Sequence, residues 1–317
     1  MLSFLALLAC APRVQQLGAP QSPPTLAEDA FVTADGSRLP LRVWRAGDRP
    51  RVVLLALHGF NDYRNFIDKA AERWARQGIT TYAYDQRGFG AAPEPGIWGG
   101  QEALVDDARS MLRLLAARHP GLPVVLLGNS MGGAVALLAV SGDGAAKPAG
   151  LVLSAPAVWG GRGMNPVFRV SLWLAAHTMP WNTDTGSGLN RQPSDNIPML
   201  RALGGDPLVI KRTRVDAVYG LTNLMGAAYG AVLPDDLPVL ALFGRRDEIL
   251  PKGPVLSRIC RMPAGRRFVF FPDGYHMLLR DLQAATVWRD IAAWSLDRQA
   301  ALPSGHEQTP PDCPPDA

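Results

Sequence analysis

Residues 124–133 read Val-Val-Leu-Leu-Gly-Asn-Ser-Met-Gly-Gly, so an unbroken apolar run leads directly into a Gly-x-Ser-x-Gly motif. The apolar run is typical of a buried strand, and the residues up to Val140 suit a helix. A serine on such a strand-to-helix turn projects its hydroxyl above the sheet edge, and small flanking residues leave room for the turn. The free N–H groups of the helix start favour negative charge beside that hydroxyl. The pattern predicts that Ser130 is a nucleophile.

Other apolar runs of strand length alternate with segments of helical spacing on both sides of this motif. Runs that are apolar on both faces and separated by helices imply a mostly parallel sheet covered on both sides. The dipeptide Asp35-Gly36 lies between two such runs and predicts a hairpin turn. We expect eight strands, at residues 31–34, 39–44, 52–57, 80–84, 124–127, 151–153, 239–243 and 268–271.

The alternation stops between residues 157 and 233, where apolar helical patches contain many Trp, Met, Pro and Gly residues but no strong strand signal. An insertion between two strands explains this interval. We therefore predict an α/β core formed by residues 28–156 and 234–300, with a helical lid at residues 157–233.

A serine hydroxyl needs a base, and the base needs a carboxylate to orient it. His276 follows the last predicted strand, in a loop at its carboxyl end, and Asp247 follows the preceding strand in the same way. We assign His276 as the base and Asp247 as the acid, and the resulting order Ser…Asp…His occurs in α/β proteins with such a serine turn. The competing side chains, expected to face solvent or have structural roles, are Glu248, Asp273, His119, His177 and His306.

Two backbone N–H groups are the candidates for binding an oxyanion. Gly59 follows the strand at residues 52–57 and lets the chain turn so that the Phe60 N–H points inward. The Met131 N–H, directly after the serine, is the second donor. His58 and Asp85 are expected to be structural.

Several of these motifs together resemble one branch of the α/β-hydrolases, the monoacylglycerol lipases and lysophospholipases, which overlaps the serine aminopeptidase-like hydrolases. The resemblance extends from about Phe31 to Asp297 and implies an α/β-hydrolase fold. At Asn129 the chain departs from the group, which commonly has His there. The motifs are His58-Gly-Phe, Tyr84-Asp-Gln-Arg-Gly-Phe-Gly, Gly128-Asn-Ser-Met-Gly, Gly244-Arg-Arg-Asp and Gly274-Tyr-His-Met-Leu.

The resemblance implies hydrolysis of carboxylic esters of lipid-like substrates through an acyl-enzyme on Ser130, with neither a metal nor an organic cofactor. Two alternatives stay open: a peptidase or amidase that cuts small amides, and a hydrolase-like protein that binds a ligand without catalysis. A complete set of triad residues argues against the second alternative.

The predicted lid carries many aromatic and Met side chains, which suit a wall for acyl chains. Simple packing of the lid onto the core is the alternative interpretation. The candidate substrate contacts are Trp159, Phe168, Trp173, Leu224 and Met225.

Composition limits the other functions. Of 317 residues, 47% are hydrophobic and 19% are charged, which is typical of a globular protein. The net charge of +4 comes from interleaved charges with no basic stripe, so nucleic acid is not an expected partner. No apolar run reaches the roughly eighteen residues that a membrane-spanning helix needs.

Both ends of the chain differ in composition from the body. Residues 1–9 are almost wholly apolar and precede Cys10, as in the signal and lipobox of bacterial lipoproteins, although no basic residue comes first. We predict lipidation at Cys10 and attachment to a membrane on the periplasmic side, with a cytoplasmic protein as the alternative. Residues 11–27 read as a tether and residues 301–317 as a disordered Pro-rich tail.

Overall fold

The computed structural model describes residues 11–47, 49–186, 188 and 190–309. The strands are β1 (Thr25–Leu26), β2 (Ala30–Val32), β3 (Arg38–Trp44), β4 (Val52–Leu57), β5 (Ile79–Tyr84), β6 (Val124–Asn129), β7 (Gly150–Ser154), β8 (Thr183–Asp184), β9 (Thr213–Arg214), β10 (Val239–Gly244) and β11 (Arg267–Phe271). The α-helices are α1 (Asp68–Ala75), α2 (Gln101–Arg118), α3 (Met131–Ala139), α4 (Pro166–Thr178), α5 (Ile197–Gly205), α6 (Val215–Gly230), α7 (Lys252–Cys260) and α8 (Ala284–Leu296). Short 3-10 helices lie at Arg64–Ile67 and Gly161–Gly163.

Nine of these strands form one sheet in the order β1-β2-β3-β5-β4-β6-β7-β10-β11. The strands from β5 to β11 in that order run parallel, whereas β1, β2 and β3 form an antiparallel edge. The mostly parallel sheet and the predicted hairpin at Asp35-Gly36 are confirmed, with Gly36 at a φ of 79°. The sheet has one strand more than expected, because Thr25–Leu26 also pairs with β2 and is too short to show an alternating pattern.

Alternation along the strands divides the core between the two faces of the sheet. In β4, Val53, Leu55 and Leu57 pack with α2, α3 and α7 on one face. Val52, Leu54 and Ala56 pack with α1 and α8 on the other face. The sheet is therefore buried on both sides, as its continuous apolar runs required.

The insertion lies between β7 and β10 and contains α4, α5, α6 and the two-stranded β8–β9 sheet. Helix α6 packs against α3, the helix that begins after Ser130. The insertion thus lies on the side of the fold where the serine turn is found. Its small β8–β9 sheet was not expected, because strands of two residues leave no periodic signal.

The two segments next to the termini differ from the expectation of free linkers. The Gln15 N–H donates to the Trp98 carbonyl at 2.8 Å. The Gln308 N–H donates to the Phe268 carbonyl at 2.9 Å, and Glu307 pairs with Arg267. Backbone pairing with the body therefore orders residues that composition alone assigned to a tether and a disordered tail.

The predicted lipidation site, Cys10, lies outside the described residues, as do residues 310–317 of the predicted tail. Cys260, at the end of α7, is disulfide-bonded. Within the described part of the chain, no helix has both the length and the apolar character to span a membrane.

Candidate active site

Ser130 lies on the turn between β6 and α3, at a φ of 51°. This left-handed conformation costs a non-glycine residue of order 1–3 kcal/mol and therefore marks a strained turn. The motif glycines make it possible: a Cβ atom at Gly132 would collide with the Leu57 carbonyl, and one at Gly128 with the Gly132 carbonyl. The residue types around Ser130 are thus dictated by close backbone packing.

His276 lies between Ser130 and Asp247. Its Nε2 atom is 3.0 Å from Ser130 Oγ, and its Nδ1 atom is 2.8 Å from Asp247 Oδ2. The consistent tautomer has the proton on Nδ1, which donates to the carboxylate, so that Nε2 can accept from the serine hydroxyl. All three residues come from loops or turns at the carboxyl ends of β6, β10 and β11.

The Asp247 carboxylate is held by the backbone of its own loop. Oδ1 accepts hydrogen bonds from the N–H groups of Ile249 at 2.8 Å and Leu250 at 3.0 Å. Asp247 is buried, and His276 is 8% exposed. Because Oδ1 is occupied in this way, Oδ2 is left facing the imidazole.

The competing side chains lie elsewhere. Glu248 is exposed and accepts from the Gln192 N–H, and Asp273 is exposed and pairs with Arg246. The three other histidines named above have separate contacts. His119 bonds the Tyr82 hydroxyl, His177 stacks on Trp173, and His306 lies edge-on to Phe271.

The two candidate oxyanion donors lie beside the serine. A Cβ atom at Gly59 would be 3.3 Å from Ser130 Cβ, so the loop that carries Phe60 runs against the nucleophile turn. Met131 is the first residue of α3, where the helix supplies no acceptor. Neither the Phe60 N–H nor the Met131 N–H donates a hydrogen bond to another described residue. The role of these two N–H groups as oxyanion donors stays a prediction.

Two residues expected to be structural do hold the surrounding loops. His58 has no exposed surface, and burial lowers the pKa of its imidazole. Asp85 is buried as well, and its two oxygens accept from the N–H groups of Arg64 and Ala91 at 2.9 and 2.8 Å. Both side chains therefore bind the backbone of these loops, and Asp85 also pairs with the Arg64 guanidinium.

The five candidate substrate contacts fall into two groups. Leu224 is 0% exposed and Met225 is buried, both in the main core. Both side chains therefore pack within the core in this structure, and their assignment as substrate contacts stays a prediction. Phe168 and Trp173, on α4, are half-exposed, and Trp159 is partly buried.

Sequence analysis did not identify the residues that bind the histidine loop to the insertion. Asp281 and Ser194 are both buried, and their side chains meet at 2.6 Å. Asp281 also lines a cleft of about 420 Å³ between α5 and the start of α8, which none of the five candidate substrate contacts lines. No local pattern shows that these two residues pair, because they are 87 residues apart.

The sheet order, the strained serine turn and the inserted helices define an α/β-hydrolase. Residues 48–283 match the family described as serine aminopeptidase, S33, and the chain belongs to this family. The family and the fold make it a carboxylic ester hydrolase.

Similar proteins include two lipases. A monoacylglycerol lipase of Mycolicibacterium smegmatis is 26% identical over 85% of this chain and 97% of its own length. The monoglyceride lipase of Homo sapiens is 27% identical over 89% of this chain and 94% of its own length. A solved structure of a soluble variant of Saccharomyces cerevisiae monoglyceride lipase, in complex with a substrate analog, superposes with a TM-score of 0.71. That structure is 20% identical and covers 92% of this chain and 100% of its own.

Proposed function

We propose that this protein hydrolyses carboxylic esters of lipid-like substrates, of the monoacylglycerol or lysophospholipid type, through an acyl-enzyme on Ser130. The hydrogen-bonded series Ser130–His276–Asp247, with distances of 3.0 and 2.8 Å, is the observation that carries the proposal. The names of the similar lipases and the half-exposed apolar side chains on α4 support the lipid-like substrate class.

In the proposed reaction, Ser130 Oγ attacks the ester carbonyl carbon while His276 Nε2 takes the hydroxyl proton. Asp247 stabilises the imidazolium that forms. The Phe60 and Met131 N–H groups donate to the oxyanion of the tetrahedral intermediate, whose negative charge a helix start also favours.

The intermediate collapses when the bond to the leaving alcohol breaks and the imidazolium returns the proton to the alcohol oxygen. Water then enters, loses a proton to His276 and attacks the acyl carbon. Collapse of this second intermediate releases the carboxylic acid and returns the proton to Ser130. Apart from the substrate and this water, the groups that take part are Ser130, His276, Asp247 and the two N–H groups.

The test is hydrolysis of p-nitrophenyl esters from acetate to palmitate by the wild type and Ser130→Ala. We expect activity that peaks at medium or long chains and disappears in Ser130→Ala. Ser110→Ala, on the half-exposed side of α2, serves as the matched control and should keep wild-type activity. Labelling of Ser130 by a fluorophosphonate reports the nucleophile independently of substrate class.

Other outcomes would reject the proposal in different ways. Activity confined to acetate would retain the nucleophile and reject the lipid-like substrate. Cleavage of anilides in preference to esters would indicate an amidase. An unreactive Ser130 together with no ester turnover would indicate a binding protein.

Attachment to a membrane through a lipidated Cys10 stays a prediction. Mass spectrometry of the membrane fraction should find a chain that begins at a lipid-modified Cys10. An unprocessed chain that begins at Met1 would contradict it.

A further inference from the structure

Asp281 is a buried carboxylate five residues beyond His276. Only 3% of its surface is exposed. Its Oδ1 atom accepts a hydrogen bond from Ser194 Oγ at 2.6 Å, and its Oδ2 atom accepts one from the Tyr275 N–H at 2.8 Å. Burial raises the pKa of Asp281 to about 6, so these two hydrogen bonds offset only part of the cost of removing the charge from water.

The Tyr275 N–H belongs to the residue directly before His276. The loop between β11 and α8 has no helix or strand around this histidine, so contacts with other parts of the fold must set the position of the imidazole. One carboxylate oxygen of Asp281 closes this loop back on itself across six residues. The backbone that carries His276 is thereby tied to a buried carboxylate.

The second oxygen connects the same loop to the insertion. Ser194 has no exposed surface and lies before α5. Its neighbour Pro193 accepts a hydrogen bond at 2.9 Å from the N–H of Met277, the residue directly after His276. Asn196 donates from its amide to the Arg280 carbonyl at 2.9 Å.

This segment of the insertion also contacts the loop that holds the acid. The Gln192 N–H donates to the carboxylate of Glu248, the residue after Asp247, at 2.9 Å. Residues 192–196 therefore contact both the Asp247 loop and the His276 loop. The buried carboxylate of Asp281 joins residues 192–196, through Ser194, to the backbone of the His276 loop, through Tyr275.

We propose that Asp281 is a positioning residue, which accepts from Tyr275 and Ser194 and thereby holds His276 at hydrogen-bonding distance from Ser130 and Asp247. It touches no reacting atom and acts through the loop backbone. The expected effect of Asp281 on turnover rests on the proposed function. A displacement of the base by about 1 Å can lower a rate by about a hundredfold, so a small loop shift is enough to be measured.

The test compares Asp281→Ala, Asp281→Asn and Ser194→Ala. Asp281→Ala removes both acceptors and should lower kcat by between about tenfold and a hundredfold, with KM changed less than about twofold. Asp281→Asn should keep most of the activity, because its carbonyl can accept from Tyr275 and its amide can donate to Ser194 Oγ. Ser194→Ala leaves one acceptor unused and should lower kcat roughly fivefold.

Asp290→Ala is the matched control for the loss of a buried carboxylate. Asp290 is 0% exposed and accepts from the Ser304 N–H at 2.8 Å, on α8 and away from the histidine loop. This variant should lower the melting temperature without lowering kcat. If Asp281→Ala does not fold, Ser194→Ala provides the same comparison with less disturbance.

Two further readouts separate this proposal from the proposed function. In Asp281→Ala, Ser130 should be labelled more slowly by a fluorophosphonate, and the proton NMR signal of His276 Nδ1–H should broaden or disappear. The NMR signal is measured without substrate, so it tests the position of His276 even if the wild type turns over no ester. Wild-type kcat, labelling and NMR signal in Asp281→Ala would overturn the proposal. Equal losses in Asp281→Ala and Asp281→Asn, or an equal loss of kcat in Asp290→Ala, would overturn it as well.

Discussion

The Nε2 atom of His58 accepts a hydrogen bond from the Gln86 backbone N–H at 2.9 Å, and the side-chain amide of Gln86 donates to the His58 carbonyl at the same distance. Because Nε2 is an acceptor, Nδ1 carries the proton and donates to the Gly59 carbonyl at 2.8 Å. The neutral ring thereby joins the loop after β4, which carries Phe60, to the loop after β5. Hydrogen bonds to the His58 and Gly59 carbonyls therefore fix the backbone of the loop that carries the candidate oxyanion donor Phe60.

His58→Gln should lower the free energy of unfolding by about 1–3 kcal/mol at pH 7, because buried hydrogen-bonding groups lose their partner. Burial lowers the pKa of His58 in the folded protein below its ordinary 6.5. The unfolded chain therefore binds more protons below pH 6.5, and the wild type loses this part of its stability as the pH falls. Urea unfolding at pH 7, 6 and 5 should show the difference between wild type and variant becoming smaller. A constant difference would contradict a neutral, buried His58.

Asp247→Asn should lower kcat by about ten-thousandfold with little change in melting temperature. An amide keeps the shape of the side chain but favours the wrong imidazole tautomer and carries no charge to stabilise the imidazolium. Steady-state kinetics on a p-nitrophenyl ester measure the loss. Asp273→Asn is the control, since that exposed carboxylate pairs with Arg246 and should be dispensable. Comparable losses in the two variants would argue against Asp247 as the partner of His276.

Trp173→Ser should lower kcat/KM for a long-chain ester by about tenfold and leave acetate hydrolysis nearly unchanged, if half-exposed Trp173 contacts acyl chains. The apolar contact that the side chain supplies grows with chain length. The comparison uses Trp181→Ser, because Trp181 is 52% exposed in the same insertion and is not a candidate substrate contact. An equal loss on acetate and palmitate esters would remove Trp173 from the set of substrate contacts.

Arg87→Ala should lower the free energy of unfolding by about 3–5 kcal/mol, because it leaves buried carboxylates without their cation. The Arg87 guanidinium pairs with Asp107 at 2.7 Å and with Asp35 at 2.9 Å, and all three side chains are at most 8% exposed. Arg38→Ala removes an exposed ion pair and should change stability by less than about 1 kcal/mol. Urea unfolding of the two variants measures both values, and similar values would show that the Arg87 network is dispensable.

The positions of Ser130, Asp247 and His276 could be predicted because each follows a strong strand signal. The carboxyl ends of parallel strands lie at one edge of a sheet, so the predicted strands already place these three residues near one another. The hairpin at Asp35-Gly36 was predictable for a similar local reason, since its turn needs a positive φ. The two-residue strands β1, β8 and β9 could not be predicted, because so few residues give no periodic pattern.

Composition was a poorer guide where distant contacts outweigh local preference. Residues 11–27 and 301–309 are rich in Pro and polar residues, yet backbone pairing with Trp98 and Phe268 orders parts of both. Leu224 has the apolar side chain expected of a lipid pocket, but α6 turns it into the core. The spacing of apolar residues along a helix predicts which face of the helix is apolar. It does not specify which neighbour that face packs against.

Short-range preferences therefore determine the strand-turn-helix that presents Ser130, and the order in which the acid and base follow can be read directly along the chain. Contacts between distant segments specify the distances of 3.0 and 2.8 Å at His276 and the pairing of Asp281 with Ser194 across 87 residues. Such contacts depend on how the insertion packs onto the core, and that packing is set by the whole fold and by no single stretch of sequence.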